Sequence, residues 1–139
     1  MSLIKYGLLF IVSTALFTLI DLVWLGFVAR SIYQSQMGHL MRMANGALSP
    51  NVPAALLTWA VIVLGQLIFV FPLVQHSSIV TAFFWGGLYG AILYGTYDLT
   101  NLAVLARWPL VITIVDIAWG IVVNGLSVVI MTRLAKYIV

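Results

Sequence analysis

The sequence predicts an all-α polytopic membrane protein, a four-helix bundle with a short amphipathic interfacial helix between the first and second spans. Hydrophobic residues make up 64% of the 139 residues and charged residues only 6%, whereas about a quarter of a soluble domain is charged. This composition excludes an ordinary soluble fold and also disorder, which requires low hydrophobicity and high charge. Four apolar stretches each have the roughly 20 residues that a helix needs to cross a hydrocarbon core.

The four predicted spans account for most of the chain and leave a single transmembrane domain over residues 1–139. They cover residues 6–28, 53–74, 79–105 and 109–131. Pro53 and Pro109 stand at helix starts, where the missing N–H is not needed. The short second and third connections make the last three spans antiparallel neighbours in sequence order. Tryptophans near span ends are predicted to lie in the headgroup layer; they are Trp59, Trp85 and Trp108.

The first connection is the longest, and it is predicted to contain the interfacial helix over residues 31–44. Apolar residues of this segment fall on one helical face and polar residues on the other, a pattern typical of a helix that lies on a membrane surface. Asn45-Gly46 predicts a turn directly after it. Such a helix serves either as an interfacial anchor or as a lid over what lies beneath it.

The three acidic residues all lie inside predicted spans, whereas every Lys and Arg lies at or beyond a span end. Asp21, Asp98 and Asp116 are each seven residues from a span end on the same side. At about 1.5 Å rise per residue, the three carboxyl groups lie roughly 10 Å below one surface. Intramembrane ionisable residues normally face a bundle interior or a wet cavity. We therefore predict a one-sided pocket built from three aspartates on three helices.

Cationic, aromatic and polar residues are predicted to complete this pocket. Long cationic side chains at its mouth can reach inward; the candidates are Arg30, Arg42 and Arg107, together with His39. The candidate binding residues near the acids are Trp24, Tyr94, Trp119, Thr100 and Asn101. Gly86 and Gly90 belong to a small-residue row on the third span, which allows close approach of a neighbouring helix.

Four segments of the chain resemble DUF2177, a family of bacterial membrane proteins. They are Asp-Leu-Val-Trp-Leu-Gly (21–26), Tyr33 with Gly38-His39, Tyr-Asp-Leu-Thr-Asn-Leu (97–102) and Val-Asp-Ile-Ala-Trp-Gly (115–120). The resemblance extends over nearly the whole chain and includes all three aspartates. It implies a small integral membrane protein without an assigned activity, and it supplies no role for any residue.

The leading functional hypothesis is a pocket that binds or processes a lipid or another amphiphile. Clustered carboxylates can divide into a proton-holding acid and an ionised base, and Tyr97 is a candidate proton donor beside them. The same three aspartates, helped by Asn101 or Thr100, are also a candidate oxygen site for a divalent cation, although the sequence contains no specific metal motif. The arginines would hold a phosphate or carboxylate headgroup.

Two other hypotheses remain open. An acidic pocket with aromatic rings attracts cations, so the chain is also of the right kind for a small proton-coupled transporter of cations or small molecules. Alternating access would then require a homodimer. The third hypothesis is a structural or accessory membrane subunit, in which the aspartates only hold the helices together.

Membrane lipids are the predicted partners, and nucleic acid is not, because the net charge of +3 is small and scattered. The absence of cysteine excludes disulfides and thiolate chemistry. We place the chain in the bacterial inner membrane with both termini in the cytoplasm. The positive-inside rule does not decide this orientation, since three Lys or Arg residues fall on each side.

Overall fold

The all-α fold class predicted from the sequence is confirmed. The computed structural model describes residues 2–138, so the two terminal residues of the predicted domain lie outside the described chain. The helices are α1 (Leu3–Val28), α2 (Arg30–Met37), α3 (Val52–Val74), α4 (Ile79–Val104) and α5 (Leu110–Ile138). Helices α1, α3, α4 and α5 are long and apolar enough to cross a membrane. Helix α5 continues past the predicted end at residue 131, since Thr132 and Ala135 still pack into the core.

Helices α3 and α4 begin at polar side chains that cap free backbone N–H groups. Asn51 accepts a hydrogen bond from the Ala54 N–H at 3.2 Å, just before α3. Ser78 accepts one from the Thr81 N–H at 3.1 Å, just before α4. Because such caps satisfy donors that a helix leaves open at its first turn, both helix starts follow from local sequence.

Helices α1 and α3 each contain a wider, π-helical turn. The last turn of α1, Trp24–Val28, is π-helical, and so is Gln66–Val70 within α3. In α3 this turn lies just before Pro72, whose missing N–H interrupts the regular hydrogen-bond ladder. Single π-helical turns of this kind are often found at functional sites. In α1 the turn leads directly into α2.

The connection between α1 and α3 differs from the predicted helix over residues 31–44. Helix α2 ends at Met37, and a short hairpin of strands β1 (Met43–Ala44) and β2 (Ala47–Leu48) follows. The hairpin turns at the predicted Asn45-Gly46 pair, whose φ angles are 51° and 75°. Positive φ at both central residues is what a type I′ turn requires. The end of the predicted helix is therefore part of a hairpin, whereas the apolar pattern alone predicts a helix up to residue 44.

The closest helix packing joins α4 to α5, as the row of small residues predicted. A Cβ atom added to Gly90 would lie 2.0 Å from the Gly120 carbonyl oxygen, and one added to Gly86 would lie 2.6 Å from that of Asn124. The largest buried cluster lies where α1, α3 and α5 meet, and it includes Leu9, Phe17, Val63, Phe71 and Val123. These two contacts leave space between the first half of α3 and the second half of α4.

Candidate functional site

The structure brings the three aspartates to one cavity of about 510 Å³. Asp21 comes from α1, Asp98 from α4 and Asp116 from α5. The remaining lining comes from α3 and α4 and is mostly apolar or aromatic; it consists of Leu57, Thr58, Trp59, Val61, Ile62, Leu93, Tyr94 and Tyr97. Leu57 is 66% exposed. The cavity therefore lies at the side of the molecule, in the space between α3 and α4, with acids on its inner wall.

Asp21 is held by two indole N–H groups, one at each carboxylate oxygen. Trp59 Nε1 donates to Oδ2 at 2.8 Å, and Trp119 Nε1 donates to Oδ1 at 2.8 Å. The Asp21 side chain is buried. The two indoles thus fix this carboxyl group in place and join α3 and α5 to α1.

Asp116 is bonded to a residue outside the long helices. The Tyr33 hydroxyl of α2 donates to Asp116 Oδ1, and Trp24 Nε1 donates to the Tyr33 oxygen at 3.3 Å. The Trp24 ring stacks on Trp119 with centroids 4.2 Å apart and planes 3° from parallel. Burial first, and then the bond to Asp116, raises the pKa of Tyr33. Tyr33 therefore remains a hydroxyl donor far into the alkaline range.

Asp98 differs from the other two acids because no described residue is hydrogen-bonded to its carboxyl group. Its side chain is fully buried, and within residues 2–138 neither carboxyl oxygen has a hydrogen-bond partner. Burying a polar group without a partner is costly, and burying an unpaired charge is costlier still. Asp98 is therefore the acid with unused capacity to bind a proton or a donor group of a ligand.

The other predicted binding residues divide between the cavity and its surroundings. Tyr94 and Tyr97 line the cavity, and Tyr97 contacts Trp108 edge-on with centroids 5.9 Å apart. Thr100 instead lines a separate groove on another face of α4. Asn101 is half-buried and lies outside the cavity lining, as do Trp24 and Trp119. The two tryptophans act through Tyr33 and Asp21 respectively.

The predicted cationic residues are not brought to this cavity. Arg30, Arg42, Arg107 and His39 are all exposed, and within the described chain none of them belongs to its lining. His39 and Arg42 follow the early end of α2, so that no continuous helix carries them over the acids. Arg107 lies in the loop 105–109, and Arg30 lines a second cavity on the other side of Tyr33.

The aspartates share a cavity without forming a cluster of metal ligands. Among residues 2–138, no group of three or more His, Asp or Glu side chains is placed to hold a metal ion. Asp21 directs both oxygens to indoles, and Asp116 accepts a hydrogen bond from the Tyr33 hydroxyl. The geometry is that of a carboxyl-lined cavity with separate local environments.

Further along α3, a buried polar network joins it to α5. Gln66 Nε2 donates to Asn124 Oδ1 at 2.6 Å, and the Ser127 hydroxyl donates to Gln66 Oε1 at 2.7 Å. Asn124 Nδ2 donates to the Gly120 carbonyl at 2.9 Å. All three side chains are buried, and they satisfy one another. This network joins the two helices beyond the cavity and has no exposed member.

Sequence reasoning missed two residues of the site, Tyr33 and Trp59. The sequence indicates Tyr33 only through the family resemblance, and Trp59 only as a tryptophan near a span end. A buried tyrosine hydroxyl or indole N–H usually finds a partner, and the chain offers only three carboxyl groups. That shortage of acceptors inside the spans is the signal that could have connected both residues to the acids.

Four apolar helices around a carboxyl-lined cavity define this chain as a polytopic membrane protein. The family model described as "Predicted membrane protein" (DUF2177) matches residues 6–132. The chain therefore belongs to the DUF2177 family, and the matched region contains the whole cavity. Neither the curated proteins nor the solved structures contain a match to this chain.

Proposed function

We propose that the cavity binds the headgroup of a lipid or another amphiphile, which enters from the side between α3 and α4, and that Asp98 exchanges a proton with it. The observation that supports this proposal is the buried, unpartnered carboxyl of Asp98 in a cavity of about 510 Å³. Ligand sites are typically mostly apolar clefts of 300–1,000 Å³ with a few placed polar groups. This cavity has a volume in that range and a mostly apolar lining with a few polar groups.

The lateral position of the cavity favours an amphiphile over a fully water-soluble ligand. Leu57 and Val61 on α3 line the cavity and are 66% and 58% exposed. On a helix that crosses a membrane, exposed apolar residues face lipid tails. A molecule that enters beside them keeps its apolar part in that environment while its polar end reaches the acids.

The charges of the cavity favour a headgroup that donates hydrogen bonds or is cationic. Its described lining contains three aspartates and neither Lys nor Arg. Tyr94 and Tyr97 add aromatic faces, which attract cations. The three acids would repel an anionic headgroup. In this proposal the arginines therefore do not hold a phosphate or carboxylate headgroup in the aspartate cavity.

The three acids have different roles in this proposal. Asp21 is a fixed carboxyl group, because an indole N–H donates to each of its oxygens. Asp98 accepts a proton from the ligand or delivers one to it, because none of its capacity is used within the described chain. Asp116 positions α2 through Tyr33, and Tyr97 at the mouth can contact the headgroup. Separate environments for neighbouring carboxyl groups are the usual basis for separate acid and base roles.

The proposal is tested by the lipid profiles of cells that lack the protein and of cells that express wild type or Asp98→Asn at matched membrane levels. A lipid species that follows wild type and is lost with Asp98→Asn supports the proposal. The matched control is Thr100→Val on the same helix, whose side chain faces the separate groove and should leave the profile unchanged. Identical profiles in all strains would contradict lipid processing and favour the structural-subunit alternative.

A second candidate function is proton-coupled transport of a cation by a homodimer. The specific observation in its favour is the same acidic and aromatic lining without a basic residue. In liposomes, a pH-dependent cation flux that requires Asp98 would support transport. The Gln66–Asn124–Ser127 network favours the first proposal, because its members are buried and bond one another, so that none of them is left to contact a moving cation.

We also propose placement in the bacterial inner membrane with both termini in the cytoplasm. An even number of spans puts the termini on one side, and the four helices fit that number. Fusing a fluorescent reporter or a periplasmic phosphatase to the C-terminus tests the orientation. Fluorescence without phosphatase activity is the expected result, and the reverse would place the cavity end of the molecule in the cytoplasm.

A further inference from the structure

A second cavity, of about 460 Å³, lies on the other side of Tyr33 from the acids. It is enclosed by the π-helical turn of α1, one face of α2 and the hairpin. Its lining consists of Leu25, Gly26, Arg30, Tyr33, Gln34, Met37, Met41 and Leu48. The cavity is thus mostly apolar, with one cationic group, one amide and one tyrosine ring.

The lining residues of α2 follow one helical stripe. Arg30, Tyr33, Gln34 and Met37 are spaced i, i+3, i+4 and i+7, which places them on one face. Tyr33 is anchored at the centre of that face by burial against Ala29 and Ile112. Arg30 and Gln34 therefore lie on the same face of α2 as the buried Tyr33, and Met37 continues the apolar surface of that face.

The electrostatics of this cavity are opposite to those of the aspartate cavity. Arg30 is the only charged residue in its described lining, and within residues 2–138 it has no ion pair with any of the three aspartates, which lie in the other cavity. Arg42 and Arg107 are exposed in loops at the same end of the chain's fold. Guanidinium groups bind phosphate through paired hydrogen bonds, so the charge of this cavity is complementary to an anion.

We propose that this cavity binds the phosphate headgroup of an anionic membrane lipid. The Arg30 guanidinium and the Gln34 amide donate to the phosphate oxygens, and an acyl chain packs on Met37, Met41 and Leu25. Methionine suits this contact because its flexible thioether adapts to irregular apolar shapes. The site does not depend on the proposed function of the aspartate cavity, and either can fail without the other.

Tyr33 separates the two sites with a single side chain. Its ring lines the second cavity while its hydroxyl donates to Asp116. A lipid bound at Arg30 would therefore contact the residue that positions α2 over the acids, without placing its phosphate among three carboxyl groups. Tyr33 thus separates the proposed phosphate site from the three carboxyl groups of the neighbouring cavity.

The test uses phosphatidylglycerol, whose phosphate charge is uncompensated, and phosphatidylcholine, whose phosphate is paired with its own ammonium group, with identical acyl chains. Binding of each lipid to purified protein in a neutral detergent is compared by native mass spectrometry. Wild type is expected to prefer phosphatidylglycerol, and Arg30→Gln is expected to lose that preference by about tenfold, as one charge-assisted interaction would give. Arg30→Lys keeps the charge without the fork and should retain part of it. Arg107→Gln removes an exposed arginine outside the cavity and should retain all of it.

Three outcomes would overturn the proposal. Equal binding of both lipids by wild type would remove the anionic site, and equal losses in Arg30→Gln and Arg107→Gln would reduce it to a general surface-charge effect. Inorganic phosphate is the third arm: if millimolar phosphate displaces phosphatidylglycerol completely, the site binds a free anion instead of a lipid.

Discussion

The three aspartates lie in one cavity but differ in what their oxygens contact. Asp21 has an indole donor at each oxygen, Asp116 has the Tyr33 hydroxyl, and Asp98 has no partner within the described chain. A hydrogen-bonded carboxyl contributes to stability, whereas a buried unpartnered one subtracts from it. The residue with the weakest structural role is thus the one best suited to bind a ligand.

Replacing Asp21 with Asn should destabilise the protein. An amide has only one acceptor oxygen, so either Trp59 or Trp119 would be left with an unpaired N–H in a partly buried position. The expected loss in the free energy of unfolding is about 1–3 kcal/mol, measured by denaturation in detergent. Asp98→Asn breaks no hydrogen bond within the described chain and is the matched control. Equal losses in the two variants would show that the indole bonds contribute little.

Tyr33 should remain protonated when ordinary tyrosines ionise. Its raised pKa means that the stability from the neutral hydroxyl is complete below about pH 10, the unfolded value, and is lost as pH rises from there toward the folded value. Ultraviolet titration of wild type and Tyr33→Phe in detergent measures this. The two curves should show the same tyrosinate absorbance up to about pH 10.5. A wild-type absorbance that already exceeds that of the variant at pH 10, where an ordinary tyrosine is half ionised, would contradict the buried hydrogen bond.

At the scale of elements, the close contact of α4 with α5 continues along α4 into the cavity, since Gly90, Tyr94 and Asp98 are spaced four residues apart on one face. Gly90 and Gly120 permit that approach, and Tyr94 packs directly over Gly120. Because Tyr94 is also part of the cavity lining, the helix packing sets the position of one cavity wall. Disturbing the small-residue row should therefore affect both stability and the site.

Gly90→Ala should destabilise the protein, whereas Gly7→Ala should not. The added Cβ at residue 90 would lie 2.0 Å from the Gly120 carbonyl oxygen, a backbone atom that cannot move without separating the helices. Overpacking of this kind costs about 1–3 kcal/mol. Gly7 on α1 has nothing within 4 Å of an added Cβ, and alanine favours the helix there. Thermal unfolding of both variants in one detergent tests the contrast; a stable Gly90→Ala would refute the close packing.

Across the whole molecule, the number and type of the long helices could be predicted because each is a continuous apolar run. The convergence of the aspartates could also be anticipated, since equal distances from span ends translate directly into equal depths. Such arithmetic gives depth along a helix but not rotation about it. For that reason it placed Thr100 with Asp98, although the structure turns Thr100 to another groove.

The partners of the aspartates could not be derived from helical spacing. The bonds from Tyr33 to Asp116 and from Trp59 to Asp21 join residues 83 and 38 positions apart, and each depends on how the helices pack. Likewise, Arg30, Arg42 and Arg107 are predicted at the pocket mouth from their positions beyond the span ends, but all three are exposed and none belongs to the described cavity lining. Local signals defined the elements, and packing decided which side chains meet.

The position of the cavity between α3 and α4 leads to a final prediction about access. Leu57 and Leu56 are neighbours on α3, 66% and 52% exposed, but only Leu57 lines the cavity. Leu57→Trp should place a large ring in the lateral opening and reduce ligand occupancy as strongly as Asp98→Asn does, while thermal stability stays unchanged. Leu56→Trp adds the same ring to the lipid-facing surface outside the cavity, and this variant should bind the same lipids as wild type.

The difference is measured by mass spectrometry of the lipids that the purified variants retain, at equal amounts of protein. If both tryptophan variants retain the same lipids as wild type, an amphiphile does not enter between α3 and α4, and the acids must be reached from the end of the molecule at which α2 lies.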